Sequence, residues 1–208
     1  MRVSRTPNPP PPGCLREGAL LRAIARDVKR VPPAPSQSLA ISYPEFLAFF
    51  GGARTLTRHH LVIGASFSYA WMPTILEFRS TSLDLGVEAL TRARSAGALM
   101  PEDMLCLSEI VNNSIVGASK LLQFAAPEAF AIWDSRVAKY LGTSVFSRER
   151  GVAQYLAYNA CIRSLAATSN ARAIARTVAR STGTATHTLR ALELVMYTAG
   201  VAGYTHAQ

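Results

Sequence analysis

The segment from Val111 to Val137 constrains the fold more than any other part of the chain. Met104, Leu107 and Val111 recur at helical spacing and carry an apolar stripe up to Asn112-Asn113-Ser114-Ile115-Val116-Gly117, whose asparagines, serine and glycine have the chemistry of a turn. A second helix is expected over Ala118 to Ala125, and Pro127 begins a break after it. The apolar Phe130-Ala131-Ile132-Trp133 must then cross the interior, and Asp134 stands where an N-cap would open a helix over Ser135 to Leu141.

The rest of the chain agrees with an all-α fold. Hydrophobic residues make up 49% of it, alanine is prominent, and strand-like alternation is scarce. Helices are expected over Leu15 to Arg30, Pro44 to Phe50, Thr57 to Trp71 and Thr81 to Ala96, then from Pro101 into the turn. Further helices are expected over Ser147 to Ala167, Ala171 to Ser181 and Thr186 to Tyr197. For the second of these, Ser42 is the expected N-cap, Pro44 falls in the first turn and Gly51-Gly52 is the stop. The helix over Thr57 to Trp71 is apolar nearly all round and so reads as a central, buried one. With Pro9 to Pro12 and a second proline-rich stretch over Val31 to Ser38, residues 1–38 read as a partly helical basic extension and 39–208 as the helical domain.

The formal charge is +9, from 22 basic against 13 acidic residues, which favours a polyanionic partner. Arg172, Arg176 and Arg180 form a row at helical spacing that suits phosphate contact or a solvated face. Only Lys29, Lys120 and Lys139 are lysines, and lysine can serve as an amine nucleophile where arginine cannot. Cys14, Cys106 and Cys161 are too few and too scattered for a disulfide framework, a zinc site or a four-cysteine iron–sulfur cluster, so neither metal nor cofactor is expected. The longest uncharged run, Leu61 to Leu76, is too short and polar to span a bilayer, and no apolar signal core is present, so a cytoplasmic protein without a membrane partner is expected.

The run Val111 to Lys120 followed by Ala131-Ile132-Trp133-Asp134-Ser135-Arg136-Val137 resembles the helix-hairpin-helix DNA glycosylases, the superfamily of 8-oxoguanine glycosylases and endonuclease III. In that superfamily a hairpin ending in lysine precedes a helix, an apolar segment and an essential aspartate. Ser119-Lys120 matches the end of the hairpin and Asp134 the aspartate. The chain departs from the pattern in two ways: the hairpin reads Asn-Ser-Ile-Val-Gly-Ala-Ser, without a glycine pair, and lysine and aspartate are 14 residues apart, about one helical turn closer than in the best-known members.

The resemblance implies a monomeric enzyme that acts on double-stranded DNA. It extrudes a damaged or modified base and cleaves its N-glycosidic bond, with or without lyase activity. Asp134 and Lys120 would be catalytic: the carboxylate opposes charge building on the sugar, and the amine attacks C1′. Asn112, Asn113, Tyr69, Trp71 and Trp133 are candidates for the base pocket. Ile115, Val116, Gly117, Ser119, Arg136 and Lys139 are candidates for DNA contact, the hairpin residues through backbone amides. In the 8-oxoguanine branch the last helix helps hold the base, which suggests His187, Arg190, Glu193 and Tyr197. Repair of damaged DNA and defence against phage DNA carrying modified cytosine, such as glucosylated hydroxymethylcytosine, both fit. So do two readings without chemistry, a helix-hairpin-helix DNA-binding module and a helical protein-interaction partner, and neither needs the pair Lys120 and Asp134.

Overall fold

The structure, a computed structural model, describes residues 17–30, 32–34, 36–72, 74–78 and 82–206. It is all-helical. Its helices are α1 (Glu17–Arg30), α2 (Gln37–Gly51), α3 (Arg58–Ala70), α4 (Leu83–Ala96), α5 (Pro101–Ile110), α6 (Ile115–Ala125), α7 (Ser135–Tyr140), α8 (Arg148–Ala166), α9 (Ser169–Thr182) and α10 (Thr188–Val201). Among the described residues, β-type pairing is limited to one isolated antiparallel bridge between Phe78 and Val111. The proline run at 9–12 and the expected helix starts at Leu15 and Thr81 lie outside the described residues.

Two boundaries differ from expectation for identifiable reasons. The Ser114 hydroxyl accepts the Gly117 N–H at 3.0 Å and so caps α6, which draws Ile115, Val116 and Gly117 into the first helical turn. The turn contracts to Asn112 and Asn113, with φ of 58° and 52°, a left-handed conformation that asparagine tolerates better than most residues. Helix α2 starts at Gln37 instead of Pro44. Its cap is Ser36, whose hydroxyl accepts the Leu39 N–H at 3.4 Å, while Ser42 lies inside the helix and its hydroxyl accepts the Trp71 indole N–H at 3.0 Å. Pro44 sits inside the helix and withholds the N–H that the Ala40 carbonyl would take, but Ala40 is exposed, where water can substitute.

Helix α6 occupies the centre, packing against α2, α3, α4, α5 and α8, and nearly every one of its residues is buried. Helix α3, the expected central helix, instead buries one face through Leu61, Gly64, Ala65, Ser68 and Tyr69 and exposes Ser66 and Ala70. Small residues made it look apolar all round, yet small residues tolerate solvent. Helix α1 joins the same core as the chain beyond residue 39: Leu20, Leu21, Ile24 and Val28 are buried, and the helix packs on α8, α9 and α10. Its fully buried Asp27 accepts the Tyr140 hydroxyl at 2.8 Å and is paired with Arg26.

Residues 129–133 cross the core as predicted, with no helix to satisfy their backbone. Side chains do this instead. Asn159 accepts the Ala131 N–H at 2.9 Å and donates to the Ala129 carbonyl at 3.1 Å. Tyr155 and Tyr158 donate to the carbonyls of Ala131 and Ile132, at 3.2 and 2.9 Å. The Ser119 hydroxyl on α6 accepts the Trp133 N–H at 3.0 Å. The segment emerges at Asp134, whose Oδ1 accepts the N–H groups of Arg136 and Val137 at 2.8 and 3.0 Å and opens α7.

Helix α7 is held from behind by α10. A Cβ on Gly200 would overlap the Arg136 carbonyl, so the two backbones meet with no room for a side chain. Gly200→Ala should therefore destabilise the protein by about 1–3 kcal/mol, or roughly 3–10 °C in a thermal melt, whereas alanine at the open Gly51 should not.

Candidate functional site

Lys120 on α6 and Arg190 on α10 both meet Trp71 at the end of α3, and Glu193 is paired with Arg190. Lys120 projects from α6 and is only 7% exposed, with its Nζ 3.5 Å from the Trp71 carbonyl oxygen at the C-terminal end of α3. Burial holds its amine below the usual lysine range, a shift opposed by the negative charges of Asp134 and Glu193 and reinforced by Arg190. Glu193 on α10 is 1% exposed, and burial pushes its carboxyl up to about 7 against the pull of its partner Arg190. Arg190 and Glu193, one helical turn apart, form an ion pair. The Arg190 guanidinium also lies 5.2 Å from the Tyr43 ring and 5.7 Å from the Trp71 ring, within cation–π range of both.

Among the expected pocket residues, Trp71 belongs to this cluster. Its carbonyl meets Lys120, and its indole packs against Tyr43, Phe46 and Phe124. Trp133 does not line a pocket: it is fully buried, packs 4.7 Å from Tyr158, and its indole N–H is buried without a partner. The cause is local, since a residue just before an N-cap at the end of a core crossing points back into the core. Tyr69 is a buried strut whose hydroxyl donates to the Val111 carbonyl at 2.9 Å. Asn112 is committed elsewhere, its amide accepting the Glu77 N–H at 2.7 Å and donating to the Ile75 carbonyl at 2.8 Å. Asn113 is exposed and faces a small cavity of about 130 Å³ beside Arg148 and Glu149.

The expected DNA contacts divide in the same way. Arg136 and Lys139 are exposed on α7, close in sequence to Asp134. Ser119 is fully buried and bonded to Trp133, so it cannot reach DNA. The side chain of Ile115 is buried, Val116 is half-buried, and the Gly117 amide is already taken by Ser114. Arg172, Arg176 and Arg180 are exposed on α9. On the last helix, Arg190 and Glu193 join Lys120 and Asp134, while His187 sits 3.4 Å from Glu128 and Tyr197 packs half-buried against the core.

Two members of the cluster were missed in the sequence. Gln123 is fully buried and donates to the Tyr43 hydroxyl at 2.6 Å, leaving its Oε1 without a partner. Gln123 follows Lys120 by three residues and so shares its face of α6, a signal that was available. Tyr43 arrives from α2 through tertiary packing and had no local signal. Beyond Tyr43 and Arg190 lies a narrow cleft of about 50 Å³ between α2 and the start of α10, lined also by Leu39, Pro44 and Leu194. Among the described residues, no group of three or more His, Cys, Asp or Glu side chains could hold a metal ion.

Chemically, the arrangement offers a desolvated amine, a carboxylate at a helix start, and a buried acid whose carboxyl is pushed up to about 7 and whose arginine partner lies against two aromatic rings. No family model matches the chain, and neither the curated proteins nor the solved structures yield a match.

The raised carboxyl of Glu193 has a signed consequence for stability. A folded acid that holds its proton up to about 7 contributes stability that is fully present below the unfolded carboxyl range near 4.5 and is lost as pH rises through about 7. Melts of the wild-type protein across that window, compared with Glu193→Gln, should show the wild type losing stability relative to the variant as pH increases.

Proposed function

We propose that the protein is a DNA glycosylase that extrudes a damaged or modified base and cleaves its N-glycosidic bond. The observation that carries this reading is the Lys120 amine: nearly buried, held below its usual proton affinity, and under the influence of the Asp134 carboxylate across the junction of α6 and α7. A lysine kept from solvent with no direct ion-pair partner among the described residues is poor structural material. It is good nucleophile material, because the neutral amine is the reactive form.

A base inside a duplex cannot be attacked in place, so the nucleotide must first leave the stack. As the C1′–N bond breaks, positive charge builds on the sugar. Asp134 directs one oxygen, Oδ1, to both cap amides. Its second oxygen can then oppose the sugar charge. The Lys120 amine donates its lone pair to C1′ while the base departs with the electrons of the broken bond. Loss of a proton from nitrogen and opening of the sugar give the Schiff base that permits strand cleavage. A monofunctional variant of the same chemistry uses Asp134 with water as the attacking group and leaves an intact abasic site. The exposed Arg136 and Lys139 beside Asp134, and the net charge of +9, suit the phosphates flanking the flipped nucleotide. Base-excision repair and defence against phage DNA with modified cytosines are the two settings in which this chemistry is useful.

Incubation with oxidised, alkylated and cytosine-modified phage DNA, followed by assay for released bases and abasic sites, tests the reading. Asp134→Asn should lower base release by about 10²–10³-fold while DNA binding stays within a few fold. Borohydride should trap a protein–DNA adduct in the wild type and not in Lys120→Ala. Wild-type protein that binds DNA in a salt-sensitive, sequence-blind manner and releases nothing from any of these substrates would instead be a binding module.

A further inference from the structure

Helices α1 and α9 pack against each other and against α8 and α10, and two hydrogen bonds fix their relative direction. Ser164, shortly before the start of α9, donates to Glu17 at the start of α1 at 2.9 Å. Ser181, in the last turn of α9, donates to the Pro33 carbonyl just beyond α1 at 2.9 Å. The two helices are therefore parallel, start beside start and end beside end. Each carries arginine at a spacing of four: Arg22, Arg26 and Arg30 on α1, Arg172, Arg176 and Arg180 on α9. That spacing lines each set along one side of its helix, with about 6 Å per step. Lys29 adds a further charge, and all of these side chains except the half-buried Arg26 are exposed. Opposing charge is scarce. Residues 150–192 contain no acid, and the acids of α1 are Glu17, bonded to Ser164, and the fully buried Asp27.

Cations gathered with so little opposing charge repel one another, and the architecture of the helices explains only some of them. Arg26 and Arg30 pair with Asp27, and Arg172 donates to the Ala167 carbonyl at the end of α8. Lys29 and Arg180 sit in last turns, where positive charge suits the helix dipole. Arg22 and Arg176 have neither role, and no hydrogen-bond or ion-pair partner among the described residues. Neither helix exposes a large apolar side chain, so the pair lacks the apolar face that a membrane-surface helix inserts. We propose that α1 and α9 form a second DNA-binding surface, whose parallel arginine rows take the phosphates of a duplex backbone without reading its sequence. Arginine suits this contact, since its planar fork can bind phosphate oxygens in pairs. The choice of DNA as the polyanion rests on the glycosylase reading, but the surface uses neither Lys120 nor Asp134.

The test is binding of the full-length protein to an unmodified duplex of about 30 base pairs, measured between about 50 and 200 mM salt. Arg22→Gln/Arg176→Gln should bind about tenfold more weakly near 0.1 M salt, and its plot of log affinity against log salt should be shallower by about two. Both positions are exposed and free of partners, so thermal melts should not move. Arg54→Gln/Arg58→Gln removes the same charge from exposed positions where α2 connects to α3, and its slope should stay within about half a unit of the wild type. Arg22→Lys/Arg176→Lys keeps the charge and should keep the wild-type slope, which separates loss of charge from loss of packing. Equal losses in the two glutamine variants would make net charge alone the cause and overturn the proposal. So would unchanged binding by Arg22→Gln/Arg176→Gln, or a wild-type protein with no affinity for the duplex. A variant that keeps its affinity for the duplex but loses affinity for vesicles of phosphatidylcholine and phosphatidylserine would assign the rows to a membrane, which also overturns it. The duplex carries no damaged base and base release is not the readout. A wild type that binds through these rows yet releases no base from any substrate therefore rejects the glycosylase reading alone.

Discussion

Backbone that passes through an apolar core outside a helix must find a partner for its polar groups, or each orphan costs about 1–3 kcal/mol. Residues 129–133 meet that requirement with side chains drawn from two helices: Asn159, Tyr155 and Tyr158 from α8, and Ser119 from α6. The identity of these residues follows from the donors and acceptors they must supply. A leucine at any of these positions would fill space and leave an amide or carbonyl unmet. Because the crossing is fixed, the point at which the chain leaves the core is fixed too, and that point is Asp134.

The same ties link the two proposed reactive groups. Ser119, bonded to the backbone just before Asp134, is the immediate neighbour of Lys120. The amine and the carboxylate are therefore carried by pieces of backbone fastened together at one hydroxyl, and α10 braces α7 with Gly200 against the Arg136 carbonyl. Rigid support of this kind is what a site needs if its groups are to stay in register while a large substrate arrives.

The all-helical fold was legible because apolar spacing, capping residues and turn chemistry are local properties. Asp134 as an N-cap and the buried crossing before it followed from the same rules. Pro44 misled because its effect depends on whether the carbonyl four residues earlier can reach water, which is a matter of exposure. Two candidates for the site lie inside: Ser119, a candidate for DNA contact, and Trp133, a pocket candidate that ends the segment expected to cross the interior and stays in the core with it. Their neighbours in sequence are at the site, but adjacent residues on a helix or an extended strand face different ways. Glu193 and Arg190 were suggested by resemblance alone, and Tyr43 was not suggested at all. Contacts between residues more than a hundred positions apart leave no trace in spacing.

The clamp formed by Asn112 has a consequence for how such a sequence can diverge. Its backbone sits in the left-handed region, and its amide holds the backbone at Ile75 and Glu77, next to the bridge between Phe78 and Val111. One residue thus meets two unrelated demands, a conformation that glycine could also satisfy and a paired donor and acceptor that glycine could not. Drift at position 112 would release the 74–78 loop even if the turn survived. Homologues that lack this asparagine should therefore carry a loop of different length or chemistry some thirty-five residues upstream.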